Sequence, residues 1–417
     1  MRQEAGANLA AGDNPVAEFG MHSRATATPG ARSGYDVDLY SDDVLTDPYP
    51  HYQALRDAGP AVWLPRHDLW AISRFDGVRH ALRNVPVFSS ARGVAANDTV
   101  NTLSAGTTLA SDPPLHEDLR RIVVAPLRSL ALADIRPRIE AEAEALVERL
   151  VARGSFDAVT DLAQHLPLTI VSDLVGLPEA GRERMLEWAA ATFDVLGVLN
   201  ERGSVALRVV TEMREYVRTE AVPGKLRAGS WAQRIYDAAE RGDVELDRCP
   251  ALMRDYLGPS LDTTIFAIAN LMLLFGRNPA QWDILRSDPT LVANAVNESL
   301  RLESPIRGFT RFVTRDHDLD GVTLPAGSRA LVLYASANRD ERKWVDADQF
   351  DIRRKTTDQL GFGHGIHICA GMHLARLEMH ALLAALVARV RRFDVGRPVY
   401  ALNNVLRGLA SLDVHIR

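Results

Sequence analysis

The 417-residue chain is predicted to fold as a mainly α-helical protein with a small β-rich region. Apolar residues recur at three- and four-residue spacing through most of its length, as one face of a helix requires. Residues 309–335 differ: they carry β-branched runs separated by the turns Asp320-Gly321 and Pro325-Ala326-Gly327. No Pro/Gly/Ser-rich linker divides the chain after its first 34 residues, so one large core is expected.

In chain order, residues 1–34 are rich in Ala, Gly, Ser, Thr and Pro and read as a flexible N-terminal tail, leaving 35–417 as one domain. A first short helix is expected over 48–57 and a strand pair over 61–73. Two helical stretches follow across 114–153, then further helices across 165–225, broken at Gly176-Leu177-Pro178 and at Gly203. Residues 247–277 form one long apolar helix interrupted at Gly258-Pro259, and 288–303 another. Helix returns at 370–392, and short β-structure closes the chain from 396. A charge of −6 gives no reason to expect nucleic-acid binding. Two cysteines, Cys249 and Cys369, exclude a disulfide framework and fit a reducing cytoplasm. No apolar run reaches the roughly eighteen residues that a membrane span needs.

The densest signal is Phe362-Gly363-His364-Gly365-Ile366-His367-Ile368-Cys369-Ala370-Gly371, just before a helix expected from about Ala370. Free N–H groups at a helix start favour a thiolate, and a thiolate suits iron. A lone cysteine is ordinarily a small buried hydrophobe, but core packing does not call for three glycines at this spacing. Gly363 and Gly365 allow close backbone approach to a flat ligand, and Gly371 allows tight packing of the next helix. Zinc on His364, His367, Cys369 and His373 is the other metal reading, though the spacing is irregular and no Cys-x-x-Cys supports it.

The pattern Phe-Gly-x-Gly-x-His-x-Cys-x-Gly resembles the haem-ligand loop of the cytochromes P450. The resemblance implies the P450 fold, a haem b between two long helices, and Cys369 as its iron ligand, with Phe362, Gly363, His367 and Gly371 around it. Glu298-Ser299-Leu300-Arg301 sets acid and base on one helix face, where the ordinary reading is a surface ion pair. In the family this pair is joined by an arginine from the segment before the loop; the register Phe-Asp-x-x-Arg selects Arg354 over Arg353, and the triad is structural. Haem propionates demand cations or donors, and His116, Arg120, Arg311 and His367 match the family positions that supply them.

On the other face of the haem, the resemblance assigns Asp262 and Thr263 as the acid and alcohol that deliver protons to bound dioxygen; the bland reading of Thr263 is a hydroxyl folded onto its own helix. The family usually has a small residue and a glycine where Pro259-Ser260 stands, so the groove there is made by another device. The segments 302–307, 334–342 and 406–412 resemble the soluble bacterial branch that oxidises para-substituted benzoates. That implies a carboxylate anchor at Arg92 with Arg254 near it, and Gly258, Phe193, Ile306, Phe309 and Leu409 around the substrate. Asp255, beside Arg254, would repel an anion or neutralise the arginine. The expected activity is hydroxylation or O-dealkylation of a small aromatic, an aromatic acid above all, with dioxygen and two electrons. The 417 residues contain no flavin or nicotinamide segment, so a [2Fe-2S] ferredoxin and its flavin reductase are implied, docking on the cysteine side near Arg120, Arg121, Arg128, Arg353, Arg354 and Lys355. A cytoplasmic monomer is expected. A peroxide-driven or rearranging P450 and a haem sensor or carrier without turnover are the alternatives.

Overall fold

Helical spacing yields helices throughout the described part of the chain, residues 34–417 of a computed structural model. In order, these include α1 (Tyr49–Ala58), α2 (Phe75–Arg83), α3 (Asp98–Leu103), α4 (Leu115–Val124), α5 (Arg136–Arg153), α6 (Glu179–Leu196), α7 (Glu201–Thr219), α8 (Cys249–Leu257), α9 (Asp262–Arg277), α10 (Val292–Leu302) and α11 (Met372–Arg389). Apart from Gly34, the tail expected over 1–34 lies outside the described residues; Gly34–Arg417 form one compact unit.

Local chemistry sets several boundaries. The side chain of Asn97 accepts a bond from Val100 N and starts α3. Asn200 does the same for Gly203 N and starts α7, so Gly203 lies inside that helix rather than breaking it. The real break is at 197–200, where the α6 C-cap meets Asn200. Gly176, in the left-handed region at φ 73°, ends a short helix as expected.

The expected β-region is a five-stranded sheet of β1 (Val62–Leu64), β2 (Leu69–Ile72), β3 (Phe88–Ser89), β4 (Phe309–Val313) and β5 (Arg329–Val332), in the order β1-β2-β5-β4-β3. Only β2 and β5 run parallel. Val94 O receives Thr310 N at 2.9 Å, which ties the loop after β3 to β4. The C-terminal strand Asp413–Ile416 pairs with Phe393–Val395 and with Ser155–Asp157, a partner that sequence pattern does not single out.

The core lies between α11, α5, α10 and α9, which pack on one another. Leu246–Arg277, which contains α8 and α9, is the one described stretch long and apolar enough to cross a membrane, and 78% of its apolar window is buried inside the protein. It is therefore accounted for as a core helix.

Candidate active site

The interruption between α8 and α9 positions one wall of the main cavity. Pro259 has no N–H, so the bond to Asp255 O cannot form. Side-chain hydroxyls replace backbone donors: Ser260 Oγ donates to Tyr256 O, and Thr263 Oγ1 donates to Pro259 O at 3.1 Å. The chain resumes as helix at Asp262, with Thr264 N and Ile265 N both bonded to Leu261 O. The acid and alcohol thus stand in the first turn of a new helix, not in the middle of one. Pro259, Ser260 and Thr263 line the cavity.

Asp262 itself does not line it. The residue is 5% exposed, and burial together with the nearby Asp194 pushes its carboxyl up to about 7. Asp194, on α6, is raised to about 6 by burial and accepts a bond from Asn404 N at 2.8 Å. It also lines an open surface depression with Asn200 and Arg202.

Facing this wall is the loop before α11. Cys369 lines the cavity, and its accessible surface opens there while protein atoms enclose the rest of the side chain. Burial raises its thiol; N–H groups of Gly371 and Met372 and the charges of Arg120 and Arg376 pull the other way without overcoming it. The N–H groups at the helix start thus favour the thiolate, as position implies, and work against the cost of burying it. Gly363 and Gly365 both have left-handed backbones, at φ 71° and 73°. A Cβ on Gly365 would lie 2.4 Å from Leu82 O, so that glycine serves loop packing against α2 rather than a ligand. A Cβ on Gly371 would meet only Cys369 Sγ, at an ordinary 3.9 Å; tight helix packing is not its reason. Among the described residues no group of three or more metal-ligating side chains converges, so the zinc reading has no site.

A basic rim adjoins the cysteine. Arg120, Arg311 and His367 line the cavity; His116 stands behind, its ring 4.3 Å from that of His367. Arg311 donates to Thr310 O at 2.8 Å, and Arg120 to Ile368 O. None of the four has a carboxylate within ion-pair distance among the described residues. Both ring nitrogens of His116 and Nε2 of His367 are buried without a partner. Burial and the charges of Arg311, His116 and Arg120 depress His367 to about 2. Two arginines without a carboxylate, beside imidazole nitrogens without partners, suit an anionic guest.

The scaffold under this loop is an ion triad. Arg301 Nε and a terminal nitrogen hold Glu298 Oε2 and Oε1 at 2.7 and 2.8 Å, both residues at 0% exposure. Arg354 Nε adds a bond to Glu298 Oε1 at 3.2 Å. Arg301 also donates to Asn338 O and Ala347 O. The surface-pair reading of Glu298-x-x-Arg301 is thereby excluded.

Of the expected substrate contacts, Phe193, Arg254, Ile306 and Phe309 line the cavity. Three do not. Arg92 is exposed, with its guanidinium 4.1 Å from the Phe312 ring centre and its carbonyl taken by Arg329. Gly258 faces α6, where a Cβ would come 2.7 Å from Thr192 Cγ2. Leu409 is fully buried core. Sequence reasoning missed two charged lining residues. Arg214 follows Leu207 and Val210 on the cavity face of α7, and Glu378 follows Leu374 and Ala375 on that of α11. A charge interrupting an apolar stripe was the available signal. Glu378 is buried with no partner for Oε1, and burial pushes it up to about 8, so it is mostly neutral at pH 7.

This arrangement has known counterparts. The model of the Cytochrome P450 family matches residues 273–398. Cytochrome p450 CYP199A2 of Rhodopseudomonas palustris is 35% identical over 385 residues, covering 91% of this chain and 93% of the relative. The cytochrome P450 monooxygenase PikC of Streptomyces venezuelae is 34% identical over 401 residues, covering 92% and 94%. Among solved structures, Mycobacterium marinum cytochrome P450 CYP268A2 in complex with pseudoionone superposes with a TM-score of 0.82 at 27% identity, covering 93% of this chain and 100% of that one. The chain belongs to the cytochrome P450 family. It is an oxidoreductase of the monooxygenase type, and its cofactor is a thiolate-ligated haem b. The cavity fits that group: a cysteine sulfur stands beside two arginines that no carboxylate neutralises and beside imidazole nitrogens without partners, a rim suited to two propionates.

Proposed function

We propose that this protein hydroxylates or O-dealkylates a small aromatic acid, with Cys369 as the iron ligand and His116, Arg120, Arg311 and His367 as the propionate rim. The single observation that carries this reading is one cavity joining the cysteine, the carboxylate-free cations and the hydroxyl-lined break between α8 and α9. When bound, haem supplies reduction of dioxygen and transfer of one oxygen atom to carbon, consuming two electrons and two protons and releasing water.

The chain's own groups manage those protons. Thr263 gives its hydroxyl hydrogen to Pro259 O, which leaves its oxygen free to accept a hydrogen bond from the cavity side. Asp262, raised to about 7, exchanges protons readily near neutral pH, and Asp194, whose charge it feels, lines the surface depression. Phe193, Ile306 and Phe309 supply apolar walls that hold an aromatic body and exclude water. Likeness of 302–307, 334–342 and 406–412 to the benzoate-oxidising branch supports the aromatic acid.

Electrons are assigned to a [2Fe-2S] ferredoxin and its flavin reductase, and the protein to the cytoplasm as a monomer. On the cysteine side Arg121, Arg128, Arg353 and Lys355 are exposed, whereas Arg120 and Arg354 are committed inward. The docking face is therefore drawn on the first four.

The test is turnover of para-methoxybenzoate and para-methoxycinnamate with a ferredoxin, its reductase and NADH. The expected result is the phenol plus formaldehyde in step with NADH consumed. Electron consumption without any oxygenated product would reject monooxygenation. A peroxide-driven enzyme is the second reading, favoured by Asp262 standing behind the cavity wall; equal turnover with hydrogen peroxide alone would establish it instead.

A further inference from the structure

Two histidines far apart in sequence face each other outside the cavity. His80 lies on α2, and His317 opens a short hairpin in which His317–Leu319 pairs antiparallel with Val322–Leu324. Packing sets their approach. Alternate residues of a strand share a face, so Leu319 and His317 point the same way. Leu319 lies over Gly77 of α2, where a Cβ would come 3.7 Å from its Cδ2. His80 follows Gly77 by three residues on the same helix face, and there it meets His317 with the two Nε2 atoms 3.1 Å apart. The two rings are within 12° of parallel, their centres 5.1 Å apart, and both stand edge-on to the buried ring of Phe88 on β3. The side-chain amide of Asn84 reaches the same His80 Nε2 at 3.3 Å. A neutral imidazole nitrogen has one N–H or one lone pair to offer, so hydrogen bonding serves two such neighbours poorly. His80 is also exposed, where water competes for the contact and leaves it little net value.

We propose that His80 and His317 form a two-imidazole site for a divalent transition-metal ion of the Ni²⁺, Cu²⁺ or Zn²⁺ kind, separate from the iron held by Cys369. The proposal does not depend on the monooxygenase reading. An imidazole nitrogen sits about 2.0–2.1 Å from such an ion, so two on one ion at 90–110° lie about 2.9–3.4 Å apart. The observed 3.1 Å falls inside that window. Imidazole selects these ions over Mg²⁺ and Ca²⁺, which take oxygen ligands. An open surface pocket lined by His80, Asn84, Asp76, Arg79 and Arg83 leaves room for water at the remaining coordination positions. Asp76 stands four residues before His80 on the same face and offers compensating charge. Arg79 and Arg83 oppose a cation, so the ion is held exchangeably rather than permanently. Its effect is mechanical. A bound ion clasps the hairpin to α2, and Leu82 O of α2 closes against Gly365 of the cysteine loop, where a Cβ would come within 2.4 Å. The ion therefore stiffens the mount of the haem-binding loop, and by binding only the folded protein it adds stability through mass action.

The test titrates the haem-loaded protein with Ni²⁺, Zn²⁺ and Mg²⁺ by calorimetry. Ni²⁺ and Zn²⁺ are expected to bind and Mg²⁺ is not. His80→Gln and His317→Gln each keep a polar amide at the surface but remove an imidazole ligand, and an unchanged ferric haem spectrum shows that the variants are folded. Each should weaken Ni²⁺ by about tenfold or more. Undiminished Ni²⁺ binding in both variants would place the ion on other histidines and overturn the proposal. Absence of binding to the unaltered protein at about millimolar Ni²⁺ would also overturn it, leaving His80 and His317 as a hydrogen-bonded pair. A second readout is the urea concentration at which haem is lost. Saturating Zn²⁺ should raise it in the unaltered protein and leave it unchanged in His317→Gln; an equal rise in both would count against the site.

Discussion

The titratable residues around the cavity have environments that set their behaviour. Asp262 and Asp194 are two carboxyls held up by burial, and in Asp262 by the neighbouring acid as well. A group near 7 both gives and takes protons at neutral pH, so Asp262→Asn should slow turnover by about a hundredfold, measured as NADH-driven product formation. Thr263→Ala should leave substrate affinity unchanged while diverting electrons to hydrogen peroxide, seen as a fall in product per NADH; unchanged coupling would count against the relay. Asp255, raised to about 6 by desolvation, is ionised above that pH and neutral below it. Its negative charge beside Arg254 opposes a second anion. Affinity for a carboxylate substrate should therefore rise as pH falls from about 7.5 to 5.5, while the substrate, with a carboxyl near 4, stays ionised. Asp255→Asn should flatten that profile and bind more tightly at pH 7.5. None of these values was legible in the sequence. Order in the chain shows that Asp262 precedes Thr263, but only packing shows that the acid is buried outside the cavity lining and feels the charge of Asp194.

At the scale of elements, the motif loops were readable and the distal cavity was not. Glu298-x-x-Arg301 and Arg354 could be assigned because helical spacing and a short register fix them, and they meet as expected. Breaking this buried triad strands a charge: Glu298→Gln should cost about 3 kcal/mol, measured by urea unfolding, with loss of haem under conditions that the unaltered protein tolerates. The interruption at Gly258-Pro259 was visible, since proline cannot complete the ladder, but its consequence needed coordinates. Two hydroxyls cap carbonyls there and end one helix before another begins. Arg92 illustrates the opposite failure. A loop position carried over by likeness faces outward here, its guanidinium stacked on Phe312. Arg214, on a helix whose register no motif marks, turns inward.

For the whole molecule, helical periodicity and the absence of linkers predicted a helix-dominated body with a small β-region, and the described residues have that form. Pairing between distant segments, such as Ser155–Asp157 with Asp413–Ile416, leaves no local pattern and was missed. Electron supply is also a property of the whole surface. Reversing charge at Arg128 and Arg353 should raise the KM for an acidic ferredoxin and reduce the salt sensitivity of the rate, with the substrate-induced spin shift unchanged. The most direct measurement of the central claim is turnover of para-methoxycinnamate under isotopically heavy dioxygen, with ferredoxin, reductase and NADH. The account predicts demethylation with one heavy oxygen atom carried into the formaldehyde, trapped before it exchanges with water, and the other released as water. NADH oxidation that yields only hydrogen peroxide or water, with the substrate recovered intact, would contradict it.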